Sequence, residues 1–365
     1  MTEVPQLTIA SIADTAGVSV STVSKVLNGR PDVAQATRAR VEEIIEQRGY
    51  QRRGRRQAPT RLIDVVFHEL GSPWSIEIIR GVEDVASGAR AGVVLSEAGG
   101  DRRPHQEWLD DVLQRQPLGV LLVLSQLTST QRRQLETRSI PIVVVDTLGE
   151  PPEGLPTVGS QNWNGGLAAT RHLVELGHRR VAVISGDKEM LCSRARVDGY
   201  RTALAEVGVN ADPELIRYGN FFVDGGYDHA RELLARPDRP TAIFAGSDMQ
   251  ALGVLRAARE LGLSVPRDLS VVGYDDLPVI EWTDPPMTTV RQPLREMAAM
   301  ATEMVLSMSR GESPTNLRID LATELIVRES TARIEPDAAR TESVGADSAS
   351  GAAQFGTDAA RTEAE

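Results

Sequence analysis

Residues 8–28 read TIASIADTAGVSVSTVSKVLN, and the rest of the chain is organised around this stretch. Ile9, Ile12, Ala13 and Ala16 recur at helical spacing, which predicts a short helix with one apolar face that Thr8 can cap. Gly17 falls where the turn between two helices needs a residue free to adopt positive φ. Ser19 offers a hydroxyl to open a second helix, in which Val23, Val26 and Leu27 can face inward. Val20, Ser21 and Lys25 are left on another side, with Thr22 and Ser24 nearby. Small or polar groups and one cation, on a helix braced from behind, form the pattern of a helix that reads a DNA groove. An ordinary helical hairpin would show the same spacing. A third helix is predicted around Thr37, Arg38, Val41, Ile44 and Ile45, which would close a small three-helix core. The basic segment QRRGRRQAPTR (51–61) follows, with no strand or helix pattern of its own.

The chain is long enough for two or three domains at 365 residues. No apolar run approaches membrane-spanning length, and the opening MTEVPQLT has neither the charged nor the apolar region of a secretory signal. The single Cys192 excludes an internal disulfide framework and fits a reducing cytoplasm; a buried thiol is its default reading. A net charge of −11 argues against DNA binding only if taken whole. Residues 1–61 hold ten basic and six acidic side chains, a net +4, and the remainder carries −15. Positive charge is concentrated where phosphate contacts would need it.

From Leu62 the pattern changes to strands alternating with helices. Strands are expected at 62–67, 92–96, 118–124 and 140–145, with helices at 74–86, 108–115 and 130–138 between them. After a break the alternation resumes, with helices at 165–176, 194–207, 225–235 and 249–261 and strands at 181–185, 242–245 and 269–274. A last helix (294–309) and strands at 316–320 and 323–327 complete the order. Such alternation implies doubly wound parallel sheets, and two such units imply two lobes with a cleft at the carboxyl ends of the strands. Beyond Arg333 the composition, seven acidic residues and two Arg among Ala, Gly, Ser and Thr, is that of a disordered tail.

The run Thr8-Ile9-x-x-Ile12-Ala13-x-x-Ala16-Gly17-Val18-Ser19-x-x-Thr22-Val23-Ser24-x-Val26-Leu27-Asn28, followed by Thr37-Arg38 and Gly49-Tyr50, resembles the headpiece of the lactose-repressor (LacI) family of bacterial transcription regulators. Shorter motifs extend the likeness to about Thr331, and the chain resembles the carbohydrate-responsive members; arginine with abundant Ala and Gly suggests a GC-rich genome such as that of an actinobacterium. The resemblance implies an α/β chain: an all-α helix-turn-helix headpiece, then a two-lobed core like the periplasmic binding proteins. It implies a headpiece at 1–50, a hinge linker at 51–61, an N-lobe of 62–160 plus 291–322, a C-lobe of 161–290 plus 323–333, and a tail at 334–365. Three crossings between lobes are then expected near 158–161, 290–293 and 321–323.

It further implies a homodimer on near-palindromic operator DNA, controlled by a small effector, most simply a sugar, in the cytoplasm. Thr8, Ser19, Val20, Ser21, Thr22, Ser24, Lys25, Asn28 and Thr37 become the expected DNA contacts. The linker departs from the family, in which a hinge helix wedges a leucine into the minor groove. No Leu lies between Tyr50 and Leu62, and Gly54 and Pro59 disfavour a helix. Arg52, Arg53, Arg55 and Arg56 can replace the wedge by attraction to a narrow minor groove, or can be a solvated basic linker.

A polar ligand between lobes needs charged hydrogen-bond partners and flat apolar faces. Arg196, in Arg196-x-x-Gly199-Tyr200, and Asp275, in Val272-Gly273-Tyr274-Asp275-Asp276, are the first candidates. Asp146, at the end of IPIVVVD, and Asp248, in Gly246-Ser247-Asp248, come next. Trp74, Phe221, Trp282 and Trp163, the last in Asn162-Trp163-Asn164-Gly165-Gly166, supply aromatic faces. The alternatives are structural: Asp248 and Asp275 as helix caps, Arg196 as a bridge between carboxylates, Trp282 in an interface or core. No dinucleotide fingerprint, Walker loop, nucleophile elbow or His/Cys cluster at metal spacing is found, so neither enzyme chemistry nor a cofactor or metal is expected. A sugar-binding protein of the same fold without a regulatory role, and an architectural DNA-binding protein, are the competing readings. The first would be favoured by a signal peptide, and the second would not need a polar cleft.

Overall fold

The computed structural model describes residues 8–27, 33–48, 60–100, 102–151 and 153–334. Asn28, the linker arginines Arg52, Arg53, Arg55 and Arg56, and the acidic tail lie outside these residues.

The headpiece is three helices, α1 (Ile9–Ala16), α2 (Val20–Leu27) and α3 (Gln35–Arg48). Thr8 caps α1 reciprocally: its Oγ1 accepts from the Ser11 amide at 3.2 Å, and its own amide donates to Ser11 Oγ at 3.0 Å. Gly17 ends α1 at φ 65°, the left-handed conformation the turn demands. Ser19 Oγ accepts from the Thr22 amide at 3.1 Å, satisfying one orphan donor of α2. Ile12, Ala13, Ala16, Val23, Val26 and Val41 form the buried core, so the apolar periodicity is spent on one side of each helix.

The remainder forms two six-stranded sheets. The first lobe runs β1 (Leu62–Phe67), α4 (Pro73–Gly88), β2 (Gly92–Glu97), α5 (Gln106–Arg115), β3 (Gly119–Val123), α6 (Ser129–Thr137), β4 (Ile142–Val145) and β5 (Thr157–Ser160). The second runs α7 (Asn162–Glu175), β6 (Val181–Ser185), α8 (Leu191–Glu206), β7 (Ile216–Tyr218), α9 (Val223–Leu234), β8 (Ala242–Ala245), α10 (Asp248–Glu260), β9 (Ser270–Asp275) and β10 (Thr288–Arg291). The chain then returns with α11 (Leu294–Ser309) and β11 (Arg318–Leu321) to the first sheet and ends with β12 (Glu324–Ile326) in the second. The strand orders are β11-β5-β4-β3-β1-β2 and β12-β10-β9-β8-β6-β7. All pairings are parallel except β10 with β12.

The helices fall within a few residues of their expected places, but three strands were not anticipated as strands. β5 and β10 occupy two segments read as crossings, and β7 lies in a stretch given no element. Each has only three or four residues, several of them Thr, Ser or Arg, so none shows the continuous apolar run of a central strand. The cores explain the two-lobe division. Leu294, Met297, Ala298, Ala301 and Val305 of α11 pack with β1, β3 and β4, so a helix late in sequence completes the first lobe. Gly81 lets α4 approach it closely, since a Cβ there would overlap the Arg295 backbone. Among the described residues no helix is long and apolar enough to cross a membrane.

Candidate functional site

A cleft of about 480 Å³ opens between the lobes, in the range of small-molecule sites. Its walls are the carboxyl ends of strands and the loops after them: Phe67, His68 and Glu69 after β1, Val123 and Leu124 after β3, Asp146 after β4, Asp187 and Lys188 after β6, Tyr218 and Phe221 after β7, Ser247 after β8, and Asp275 at the end of β9. Ligands of open α/β sheets bind at these ends because the loops and helix N-termini converge there. Trp74 stands in the first turn of α4, where Ser72 caps the helix and Pro73 fixes its entry, and it walls the cleft from the first lobe.

Arg196 lies at the bottom, only 4% exposed. Gly166 and Gly199 bring it there: a Cβ on either would overlap backbone of the facing helix, so α7 and α8 touch along their glycines. The guanidinium Nε donates to Asn162 Oδ1 at 2.8 Å, and Nη1 donates to the Gly246 carbonyl. Its carbon stands 3.7 Å from the Tyr274 ring centroid and 5.3 Å from that of Phe221. Gly186 leaves room for the Phe221 ring.

Two carboxylates face this cation. Asp146, 7% exposed, receives no hydrogen bond to its carboxylate from any described residue. Burial pushes it up to about 6, against the pull of Arg196. Asp275 is raised by burial as well, opposed by Arg196 and by Gln292, whose Nε2 donates to Asp275 Oδ1 at 2.6 Å. His68 is held below its usual value by burial and by Arg102, and its Nδ1 is buried without a partner. Arg102 crosses the cleft mouth to Asp187 at 2.6 Å, joining the lobes.

Trp74, Asp146, Arg196, Phe221 and Asp275 therefore come together, while three other candidates do not. Asp248 lies fully buried beneath the cleft, with Oδ2 accepting from the Leu277 amide at 2.7 Å and Oδ1 from Thr289 Oγ1 at 2.6 Å. Both oxygens hold backbone and strand in place and neither reaches the cavity. Trp282 is 88% exposed, in the loop between β9 and β10, and away from the cleft. Trp163, at the start of α7, lines a separate and smaller cavity. Helix-starting position and aromatic type drew attention to these residues, but depth and lobe face depend on packing. His178 contacts Thr241 Oγ1 at 2.9 Å and Ser270 Oγ at 3.0 Å, a structural role. Glu69, Arg102, Asp187, Lys188 and Asn220 of the cleft were not singled out; inspecting the loops after the expected strands would have found all but Asn220, which follows the unanticipated β7.

On the headpiece, Thr8, Ser19, Val20, Ser21 and Lys25 are exposed, and Thr22, Ser24 and Thr37 are half-buried beside them. Behind this polar surface Val23 and Val26 fix the helix to the core. The arrangement offers small hydroxyls and one ammonium on a rigid helix face, the geometry of direct base readout.

Comparison with known proteins agrees with both halves. Residues 8–53 match the family described as bacterial regulatory proteins, lacI family, and residues 170–331 match a periplasmic binding protein-like domain. The HTH-type transcriptional repressor CytR of Escherichia coli (strain K12) is 34% identical over 328 residues, 89% of this chain and 96% of CytR. The HTH-type transcriptional regulator CelR of Thermobifida fusca is 37% identical over 88% of this chain and 98% of its own. A solved CelR–cellobiose complex superposes with a TM-score of 0.68 at 35% identity, covering 89% of this chain and all (100%) of the other. The lac repressor dimer bound to operator and the anti-inducer ONPF gives 0.66 at 26% identity, covering 89% and 99%. A helix-turn-helix headpiece joined to a two-lobed effector core, with relatives aligned over nearly their whole length, places this chain in the LacI family of bacterial transcription regulators.

Proposed function

We propose that the chain is a repressor that binds a near-palindromic operator as a homodimer and is controlled by a sugar held between its lobes. The observation that supports this best is the floor of the cleft: Arg196 clamped by Asn162, Gly246 and Tyr274, with Asp146 and Asp275 beside it. A guanidinium and two carboxylates match the donors and acceptors of ring hydroxyls, and Trp74 and Phe221 offer flat faces to C–H surfaces. The solved relative holds cellobiose, and the lac repressor structure is a dimer on its operator. Thr8, Ser19, Val20, Ser21, Thr22, Ser24, Lys25 and Thr37 serve as the operator-facing surface, with the linker arginines extending it. In this reading the headpiece is 1–50, the hinge 51–61, the N-lobe 62–160 plus 291–322 and the C-lobe 161–290 plus 323–333. No catalytic step is part of this reading, and the cytoplasm is where such a regulator works.

The test is a thermal-shift screen of mono- and oligosaccharides, cellobiose among them, followed by operator binding with and without each hit. A sugar that raises the melting temperature and changes operator affinity at fixed salt supports the reading. Melting unaffected by every sugar, with unchanged operator affinity, refutes the sugar assignment.

A further inference from the structure

A second cavity of about 280 Å³ adjoins the first, and Asp146 and Cys192 line both. It sits over the β4, β5 and β11 edge of the first sheet and faces the N-termini of α7 and α8 in the second lobe. Both lobes therefore contribute to its walls. Its chemistry differs from that of a packing gap. Trp163, 41% exposed, supplies an aromatic face among the residues that line the cavity. Asn164 Nδ2 donates to Gln161 Oε1 at 2.6 Å, and Arg318 pairs with Asp320 at 3.1 Å, so amides and both charges share the lining with Trp163. Neither α7 nor α8 has a side-chain cap or an acidic residue in its first turn. Asp146, 7% exposed, lines both cavities.

We propose that this cavity is a second ligand site, for a pyranose ring stacked on Trp163 and hydrogen-bonded by Gln161, Asn164, Asp320 and the near side of Asp146. An aromatic plate with amides and a carboxylate at its rim is suited to a ring with one flat C–H face and equatorial hydroxyls. A carboxylate can accept about four hydrogen bonds, so Asp146 has capacity for donors from both cavities. Because both lobes line the site, its occupant favours the lobe arrangement in which the walls meet, as a ligand of the main cleft does. The two sites would then support each other's occupancy.

The four tryptophans make the test site-specific, since Trp74 lines the main cleft, Trp163 the second cavity, and Trp108 and Trp282 neither. The full-length protein labelled with 5-fluorotryptophan is titrated with cellobiose and with glucose and followed by fluorine NMR, the Trp163 resonance being assigned with Trp163→Phe. The Trp163 resonance is expected to shift with its own midpoint. In Arg196→Met the Trp74 response should weaken more than the Trp163 response, and in Asp320→Asn the Trp163 response should weaken more than the Trp74 response, the smaller change in each case being the coupling between the sites. A Trp163 resonance that stays fixed up to millimolar sugar overturns the proposal. So does one that follows Trp74 in every variant. Movement of Trp163 with Trp74 silent supports the second site and counts against the cleft reading alone.

Discussion

Arg196→Met keeps most of the side-chain volume and removes the charge. In the folded chain Arg196 supplies two hydrogen bonds, to Asn162 Oδ1 and the Gly246 carbonyl, and covers the Tyr274 ring. It is also the cation that holds down both Asp146 and Asp275. Without it both carboxyls rise further and take up protons, so the buried acids become neutral instead of standing unpaired. Proton uptake thereby caps a cost that would otherwise reach the roughly 3–5 kcal/mol of a broken buried ion pair. The free protein should fold and melt a few degrees lower. Effector binding loses a charge-assisted bond of roughly 1.5–3 kcal/mol, which raises Kd about 10- to 150-fold. The assay is calorimetric titration with the sugar that shifts the native protein, beside operator anisotropy without sugar. Operator affinity should stay within about twofold, because no headpiece residue is touched, and Arg196→Lys should fall between the two since a point ammonium cannot span both acceptors. A native effector Kd in the Met variant would show that the guanidinium does not meet the ligand and would refute this assignment of the cleft floor.

Effector affinity should rise with pH through about 6, where Asp146 ionises, by roughly tenfold from pH 5 to 7 if the ligand hydroxyls need the carboxylate. The stability of the free protein should move the other way: a raised carboxyl pKa means the fold binds more protons than the unfolded chain between about 4 and 6, so that contribution is lost as pH climbs through the window. Equal affinity at pH 5 and 7 would exclude Asp146 from the contact. Lys25→Ala should weaken specific operator binding and leave sugar binding intact, and unchanged operator affinity at fixed salt would remove Lys25 from the reading face. Replacing Arg52, Arg53, Arg55 and Arg56 together by Ala should flatten log affinity against log salt by up to about 0.9 per lost phosphate contact. An unaltered slope, with no response to G·C pairs at the operator centre, would make the arginines a passive linker.

The headpiece was legible because its signals are local. A cap, a positive-φ glycine and a 3.6-residue apolar period each act within a few residues, and Thr8, Gly17 and Ser19 do what their types imply. The central strands were legible for a related reason, since burial on both faces demands an unbroken apolar run such as Ile142–Val145. β5 and β10 have no such signature because each has only four residues, with Thr, Ser or Arg among them. The same limit applies to the site. Asp146 and Asp275 follow directly from strand ends, whereas Asp248, one residue past Ser247, points the opposite way because Thr289 and the Leu277 amide capture it. Trp163 and Trp282 look like Trp74 in sequence; only the lobe packing sends one into the cleft, one into a neighbouring cavity and one to solvent.

The connection from cleft to crossings is short enough to follow bond by bond. Asp275 Oδ1 accepts from Gln292, just beyond β10, and Gln292 Oε1 accepts from Ser160 at the end of β5 at 2.7 Å. The adjoining Gln161 amide donates to the Leu321 carbonyl at 2.9 Å, which ties in the crossing after β11. All three crossings between the sheets thus lie within a few hydrogen bonds of the carboxylate assigned to the effector, and Asp275, Gln292 and Ser160 are buried. Buried partners of this kind cannot be left unpaired without a cost of about 1–3 kcal/mol each. That equals the range of a typical allosteric coupling free energy, about 1–3 kcal/mol or 5- to 150-fold in affinity. Re-pairing one or two bonds in this chain is enough to bias one lobe arrangement over another, without disturbing either core. Reciprocity then fixes the other direction: operator DNA must change effector affinity by the same factor as effector changes operator affinity.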